Sequence, residues 1–292
     1  MMNLKPTTIK TRKRQAGLTL LELTVVLLVL IGLSGLILPY AQGYLQRTHD
    51  STGNDNLWEL NNAIGLFQAK YLEYPDELHS LIDGSGQVYT KLMNPNLVKK
   101  VTYTAGTDTI PLTSLMMGGI GSVWQMKTKP AMGPYTSATF DAVSTVVNVP
   151  MPSATSGAVE LAAVTYTGPF TSVEEHLAFA FYNSTAPQNV NKFNATCYDY
   201  IVLGVGPENE MIGTVMADAP LHFASAGGMG PDKRYNRFVT VFRVDKSNTA
   251  PCSENTEPAK FIGSAMLMMP PHLWGLAHTQ AHTYENMTNK NN

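Results

Sequence analysis

The sequence predicts an α+β protein in which a long N-terminal helix packs on a C-terminal antiparallel β-sheet. Residues 18–38, LTLLELTVVLLVLIGLSGLIL, form a nearly unbroken apolar run. Apolar residues then recur at helical spacings of 3 and 4 between Leu57 and Tyr71. From Cys197 onward, β-branched runs alternate with links that contain Gly and Pro, which is typical of strands and turns.

The charge of the 292-residue chain is unevenly distributed. Residues 1–17 hold five of the 20 Lys and Arg residues and none of the 22 Asp and Glu residues, which leaves 15 basic against 22 acidic residues in the remainder. An acidic body gives no reason to expect a nucleic-acid partner. A basic N-terminus before an apolar run is typical of the cytoplasmic side of a membrane protein.

The apolar run has the length of a membrane span, because 21 helical residues reach about 30 Å. A cleaved secretory peptide should end in small residues after a short apolar core, whereas PYAQGYLQR follows Leu38. A plain membrane anchor fits the length but does not explain Glu22, since a carboxylate in hydrocarbon costs about 3 kcal/mol.

The segment around Glu22 resembles the class III signal of type IV pilins and pseudopilins. That family has a basic leader ending in Gly, a hydrophobic first mature residue and Glu at the fifth mature position, as in RQAG followed by LTLLE from Arg14 to Glu22. The resemblance implies that a prepilin peptidase cuts between Gly17 and Leu18 and methylates the new amino group of Leu18. Pro39 then corresponds to the helix-bending proline of many pilins.

The resemblance also implies a filament of identical or different pilin-like subunits, built by an inner-membrane assembly platform. An α-amino group is largely cationic at neutral pH. We hypothesise that Glu22 of one subunit neutralises the Leu18 amine of a neighbour in the apolar filament core. Only the correct axial offset between subunits brings these two groups together, so the pair would set the register of assembly.

The helix is predicted to continue beyond the apolar run. A core-facing stripe is formed by apolar residues at helical spacing: Leu57, Leu60, Ile64, Phe67 and Tyr71. Residues 48–56, THDSTGNDN, favour turns, so a weakened or kinked helix is expected there, with Asn54 or Asp55 able to cap a restart. The helix should end before Pro75, because the residue preceding a proline is disfavoured in the α region.

Residues 60–83 carry a second resemblance, to the end of the long helix and the following turn in major pseudopilins of type II secretion. It rests on Tyr74, Pro75, Leu78 and Leu81. It favours a pseudopilin that supports protein secretion. The alternatives are a type IV or competence pilus subunit for adhesion, motility or DNA uptake, and a membrane-anchored exported enzyme or receptor.

The body is predicted to consist mainly of strands. Strand-like segments occur at 144–150, 159–166, 198–206, 211–216, 236–245 and 260–269. The segment 130–173 is poor in charge, and its role is left open. Cys197 and Cys252 would lie on the exported side, where an even cysteine count suggests a disulfide, as many pilins have near the C-terminus. The alternative is a pair of reduced, buried thiols.

Motifs for cofactors, metals or catalysis are weak, so neither a cofactor nor enzymatic activity is predicted. His278 and His282 have the spacing of a helical zinc pair, and His272 lies nearby, but no Cys or paired acid completes a site. Residues 206–210 and Asp218 offer oxygen ligands for calcium, which some type II secretion pseudopilins bind, but the ligand pattern does not match. A solvated turn is the expectation for this loop.

Five segments are therefore predicted. They are a cytoplasmic leader (1–17), a transmembrane and filament-core helix (18–38), its amphipathic continuation (39–73), an exported β-rich body (74–269) and a flexible tail (270–292). The chain should cross the inner membrane once, with a cytoplasmic N-terminus and a periplasmic or extracellular body, and then enter a filament.

Overall fold

The computed structural model describes residues 20–88, 98–127, 143–164, 196–221 and 237–266. The chain divides into two compact units, Met1–Arg47 and Thr48–Asn292. The described residues form two helices, α1 (Leu20–Tyr71) and α2 (Thr109–Met117). They also form eight strands: β1 (Leu78–Asp83), β2 (Val98–Thr104), β3 (Ser122–Met126), β4 (Val143–Asn148), β5 (Ala158–Val164), β6 (Tyr198–Gly204), β7 (Phe238–Asp245) and β8 (Lys260–Met266). The prediction of mixed helix and sheet is confirmed.

Strand β6 organises the sheet. One edge of β6 pairs with β7 along its full length, from Tyr198 to Gly204. Its other pairings are with β5, at Ile201 and Val202, and with β1, at Gly204. Strand β2 adds to β5, β8 adds to β7, and β3 and β4 continue outward from β1. The sheet therefore forks at β6.

One strand pair departs from the predicted antiparallel sheet. β1 and β3 are parallel, with Leu78 opposite Val123 and His79 opposite Trp124, whereas the other pairs are antiparallel. Parallel neighbours cannot be joined by a tight hairpin and need a crossover connection. Here β2 and α2 lie between β1 and β3 in the chain and belong to that crossover.

The second half of α1 packs on this sheet, as its apolar stripe predicted. Leu57, Leu60, Ile64 and Phe67 are buried in one core that also contains residues of α2 and of the central strands. Tyr71 ends the stripe and is 41% exposed. Alternate residues of β7 face opposite sides of the sheet, so Phe242 joins the α1 core while Val241 joins a second core.

Residues 48–56 lie inside α1, although their composition favours turns. No second helix begins at Asn54 or Asp55, so a capped restart there is wrong. The helix ends at Tyr71, where Leu72 adopts φ 64°. Tyr74 then turns into the core, and its hydroxyl accepts a hydrogen bond from the Phe261 N–H at 3.1 Å.

Most predicted strands are observed, but residues 211–216 are not one of them. The N–H groups of Thr214, Val215 and Met216 all point to the carbonyl of Met211, at 3.0–3.1 Å. Gly213 adopts φ 78°, which a glycine tolerates without strain. The segment is therefore a tight turn closed by one isolated bridge, Ile212 with Met216.

Candidate functional site

Among the described residues of the first unit, the helical segment 20–33 is apolar and exposed. Every residue from Leu20 to Leu33 is exposed, and all but Glu22, Thr24 and Gly32 are Leu, Val or Ile. Leu20 is 81% exposed and Leu28 is 75% exposed. A helix that is apolar on all sides is normally buried in a protein core or a membrane, and large exposed apolar patches mark interaction sites. This segment is the candidate assembly surface.

Glu22 lies within the candidate assembly surface, in the first turn of α1. A carboxylate near the start of a helix interacts favourably with the helix dipole, but moving it out of water is costly unless a cation accompanies it. The Thr24 hydroxyl, two residues later, donates a hydrogen bond to the Leu21 carbonyl at 2.9 Å. Glu22 is the single charged side chain of residues 20–33, so an apolar layer that covers this surface must also accommodate its charge.

Several predicted site residues lie outside the described residues. Gly17 and Leu18 precede residue 20, where the described residues begin, and His272, His278 and His282 follow residue 266, where they end. Pro39 lies within the α1 backbone, but the side chains of residues 34–51, including that of Pro39, are not among those described. The described part of the chain contains no helix that is both long enough and apolar enough to cross a membrane.

The cysteine pair is joined as predicted. Cys197 and Cys252 form a disulfide with a Cα–Cα distance of 5.3 Å. Cys197 directly precedes β6, and Cys252 lies in the link between β7 and β8. The alternative of two reduced thiols is wrong. The bridge fixes that link to the start of the central strand.

The loop at residues 205–211 is a turn that is exposed at Pro207 and Glu210, but it also makes hydrogen bonds to the rest of the fold, which the sequence did not predict. Asn209 is 2% exposed, and its amide donates to the Asp76 carbonyl at 2.6 Å. The Glu210 carboxylate accepts a hydrogen bond from the Asp76 N–H at 3.1 Å. The Asp76 carboxylate in turn accepts from the N–H groups of Gly121 and Ser122 at 3.1 and 2.7 Å. The loop therefore holds the turn that follows α1.

A buried histidine forms the second attachment of this loop. His79, on β1, is fully buried, and its Nε2 lies 2.9 Å from a carboxylate oxygen of Glu208. A Cβ at Gly206 would collide with the His79 ring, so glycine is required there. This pair was not predicted. The sequence signals it only by a His inside the apolar segment LHSLID, followed much later by an acidic loop.

The His79–Glu208 pair makes stability depend on pH. Burial tends to raise the pKa of Glu208, but the hydrogen bond and charge of His79, with help from Arg237, together lower that pKa below its ordinary 4.5. A carboxyl whose pKa is lowered by folding stabilises the fold above the unfolded-state pKa, and that contribution is lost as the pH falls through the folded-state pKa.

We therefore expect Glu208→Gln to lower the free energy of unfolding by about 1 kcal/mol at neutral pH, because a neutral hydrogen bond replaces a charge-assisted one. The difference from wild type should shrink as the pH falls below 4.5. Denaturant unfolding of the full chain in detergent at several pH values measures it. Glu254→Gln, at an exposed glutamate, is the control and should change nothing. A difference that grows on acidification would contradict the assignment.

Among the described residues, no three His, Cys, Asp or Glu side chains gather as a metal site. In the loop proposed to offer calcium ligands, Glu208, Asn209 and Glu210 instead form the protein hydrogen bonds given above. Comparisons with protein-family models, with curated proteins and with solved structures gave no match. The functional conclusion therefore depends on the residues of this chain alone.

Proposed function

We propose that this chain is a structural subunit of a pilin-like filament, processed by a prepilin peptidase and supporting type II protein secretion. The observation that carries the proposal is the candidate assembly surface. It is a helical segment exposed on every side, apolar except for one carboxylate and two small residues, and it directly follows a basic stretch ending in Gly17. In this proposal the chain has no catalytic role and needs no cofactor.

The physical argument concerns two environments for one helix. In the inner membrane, lipid surrounds the apolar side chains, while in a filament the helices of neighbouring subunits surround them. Both environments keep the backbone hydrogen bonds inside the helix, so the transfer requires no refolding. The two environments differ at Glu22, because a neighbouring Leu18 amine is available to it only in the filament core.

The second unit supplies the outer surface in this proposal. The stripe of α1 buried on the sheet is the arrangement that a pilin-like fold requires, with a long helix attached to a β-rich body. A disulfide near the C-terminal strands is also typical of that family. The structure combines helices with a sheet, and these features support the more specific proposal of a pilin-like fold.

The secretion assignment is supported by the Tyr74–Pro75 segment. Both residues are buried in the turn between α1 and β1, and Leu78 and Leu81 of β1 are buried after them. These are the positions that carry the resemblance to major pseudopilins. A type IV or competence pilus subunit shares the leader and the helix, and a DNA-uptake pilin would also be expected to have a basic surface, whereas this body has more acidic than basic residues.

Processing of the leader tests the proposal. The full chain should lose residues 1–17 when it is produced together with a prepilin peptidase, and it should keep them without the enzyme. Gly17→Leu should block the cleavage by placing a bulky side chain at the cut. Gly32→Leu is the control, since a Cβ at Gly32 has no neighbour within 4 Å and the position lies beyond the leader. A chain that stays full length with an active peptidase would contradict the proposal and favour a plain membrane anchor.

A further inference from the structure

Leu72, directly after α1, is costly to maintain in an isolated subunit. It is 88% exposed, more than any other large apolar side chain described, including those of the candidate assembly surface. It also adopts φ 64°, in the left-handed region where a bulky side chain is unfavourable and glycine is the usual residue after a helix. Glycine at this position would avoid both costs. Outliers of this kind cluster at functional sites.

The residues before Leu72 extend this feature. Tyr71 is partly exposed, and the Lys70 ammonium group lies over the Tyr71 ring, 4.7 Å from its centroid. Lys70 itself is exposed. We call Lys70, Tyr71 and Leu72 the Leu72 projection. It combines an exposed apolar tip with a positive charge.

The same unit contains a groove with complementary properties. It has a volume of about 560 Å³ and lies between one face of α1 and residues 215–220. Ala63, Leu66 and Met216 give it an apolar lining, and Leu66 is 57% exposed. Glu59 and Asp218 add two carboxylates, while none of the described lining residues is basic. The groove therefore favours an apolar segment that carries a positive charge.

We propose that the Leu72 projection of one copy of this chain docks into this groove of a second copy. Leu72 would contact the apolar lining, and Lys70 would pair with Glu59 and Asp218. Within one chain the projection cannot reach the groove, because rigid α1 separates Leu72 from the middle of the groove by roughly ten residues, about 15 Å. The proposal rests on the proposed function, for which it supplies a contact between bodies.

The contact would be heterologous, since two different surfaces of the chain meet. Such interfaces form rings or open helical arrays, and they repeat without limit when the rotation does not close. The separation of projection and groove along α1 implies a stagger of about 15 Å between neighbouring subunits. Because the projection of one copy meets the groove of the next, the contact has a direction. It therefore matches an assembly in which all α1 helices point the same way.

Cross-linking of the full chain in membranes tests the contact. A chain carrying both Glu73→Cys, at the exposed residue next to Leu72, and Ala217→Cys should give a ladder of covalent oligomers when it is treated with a short bismaleimide. Each single substitution should give no ladder, because the two thiols of one contact come from different surfaces. The matched control pairs Glu73→Cys with Val146→Cys, at an exposed valine of β4 that does not line the groove. Dimers from Glu73→Cys alone, or an equal ladder from the control pair, would overturn the proposal.

Two further substitutions separate docking from folding. In the cysteine-pair background, Lys70→Glu should weaken the ladder, and adding Asp218→Lys should restore part of it. In the same cysteine-pair background, Leu72→Gly should raise the unfolding temperature by relieving the left-handed backbone. It should also reduce cross-linking about tenfold or more, as expected for the loss of one buried leucine. A Leu72→Gly variant that is more stable and cross-links as well as the cysteine pair with Leu72 would overturn the docking role.

Leader processing keeps this test distinct from that of the proposed function. If the leader is removed and no ladder forms, the docking contact is wrong and the filament proposal is unaffected. If a ladder forms in chains that keep the leader although an active prepilin peptidase is present, the contact is supported and the filament proposal fails.

Discussion

Replacement of Glu22 by alanine is expected to exclude the chain from filaments while leaving its leader cleavage and its folded body intact. Glu22 lies in the candidate assembly surface and is not one of the core residues of the second unit, so the body is expected to keep its fold in this variant. In the filament core, alanine would leave the Leu18 amine of the neighbouring subunit without its counter-charge. Breaking a buried pair by removing one partner costs about 3–5 kcal/mol, which lowers incorporation by a factor of about a hundred or more.

The fraction of the chain in sheared filaments, compared with the fraction left in the membrane, measures this effect. Thr24→Ala is the matched control, because Thr24 lies two residues from Glu22 and its hydroxyl donates to the Leu21 carbonyl of the same helix. Glu22→Asp keeps the charge on a shorter side chain and should assemble better than the alanine variant. If Glu22→Ala subunits enter filaments at the wild-type level, the pairing hypothesis is wrong.

Loss of the disulfide is the second large effect. Cys197 and Cys252 are 55 positions apart. Opening a loop of that length is expected to lower the free energy of unfolding by about 4 kcal/mol on the chain-entropy estimate. The effect should be concentrated in the three strands that the bridge connects, since Cys197 precedes β6 and its carbonyl accepts a hydrogen bond from the Lys246 N–H, directly after β7, at 2.8 Å.

Denaturant unfolding of wild type and of the Cys197→Ser, Cys252→Ser double variant measures this loss. Reductant should destabilise the wild type to the level of the double variant and should leave the double variant unchanged. Equal stability of wild type and double variant under oxidising conditions would show that the bridge does not stabilise the fold.

The sequence alone predicted the features that have a local residue pattern, such as apolar residues at a regular spacing, or that need a pair of cysteines. The α1 stripe was visible because Leu57, Leu60, Ile64 and Phe67 repeat at helical spacing and are buried on one side only. Strands β6 and β7 were visible as β-branched runs between turns. The disulfide followed from an even cysteine count in a chain read as exported.

The features that sequence missed depend on tertiary contacts. β1 is buried at all six positions, so LHSLID shows no alternation, and its helix-like leucines hid a strand. Residues 211–216 look like a strand, but Gly213 and the Met211 carbonyl close a turn instead. Residues 48–56 are helical although their intrinsic helix propensity is poor. Tertiary contacts and the helix on either side routinely override such propensities.

The candidate sites divide in the same way. The assembly surface was predictable, because it is a continuous run of apolar residues in the sequence that contains one charged residue, Glu22. The His79–Glu208 pair and the groove at residues 215–220 were not, because each joins segments separated by more than a hundred residues. The exposure of Leu72 also depends on where α1 ends, and the sequence predicted only that the helix ends before Pro75.

The first residue of the mature chain, together with the chemical state of its amino group, tests the central claim most directly. The chain purified from its native membranes should begin at Leu18 with a methylated amine when its N-terminus is sequenced and weighed by mass spectrometry. A mature chain that begins at any other residue, or that keeps its leader, would contradict the claim that this helix is made for a filament.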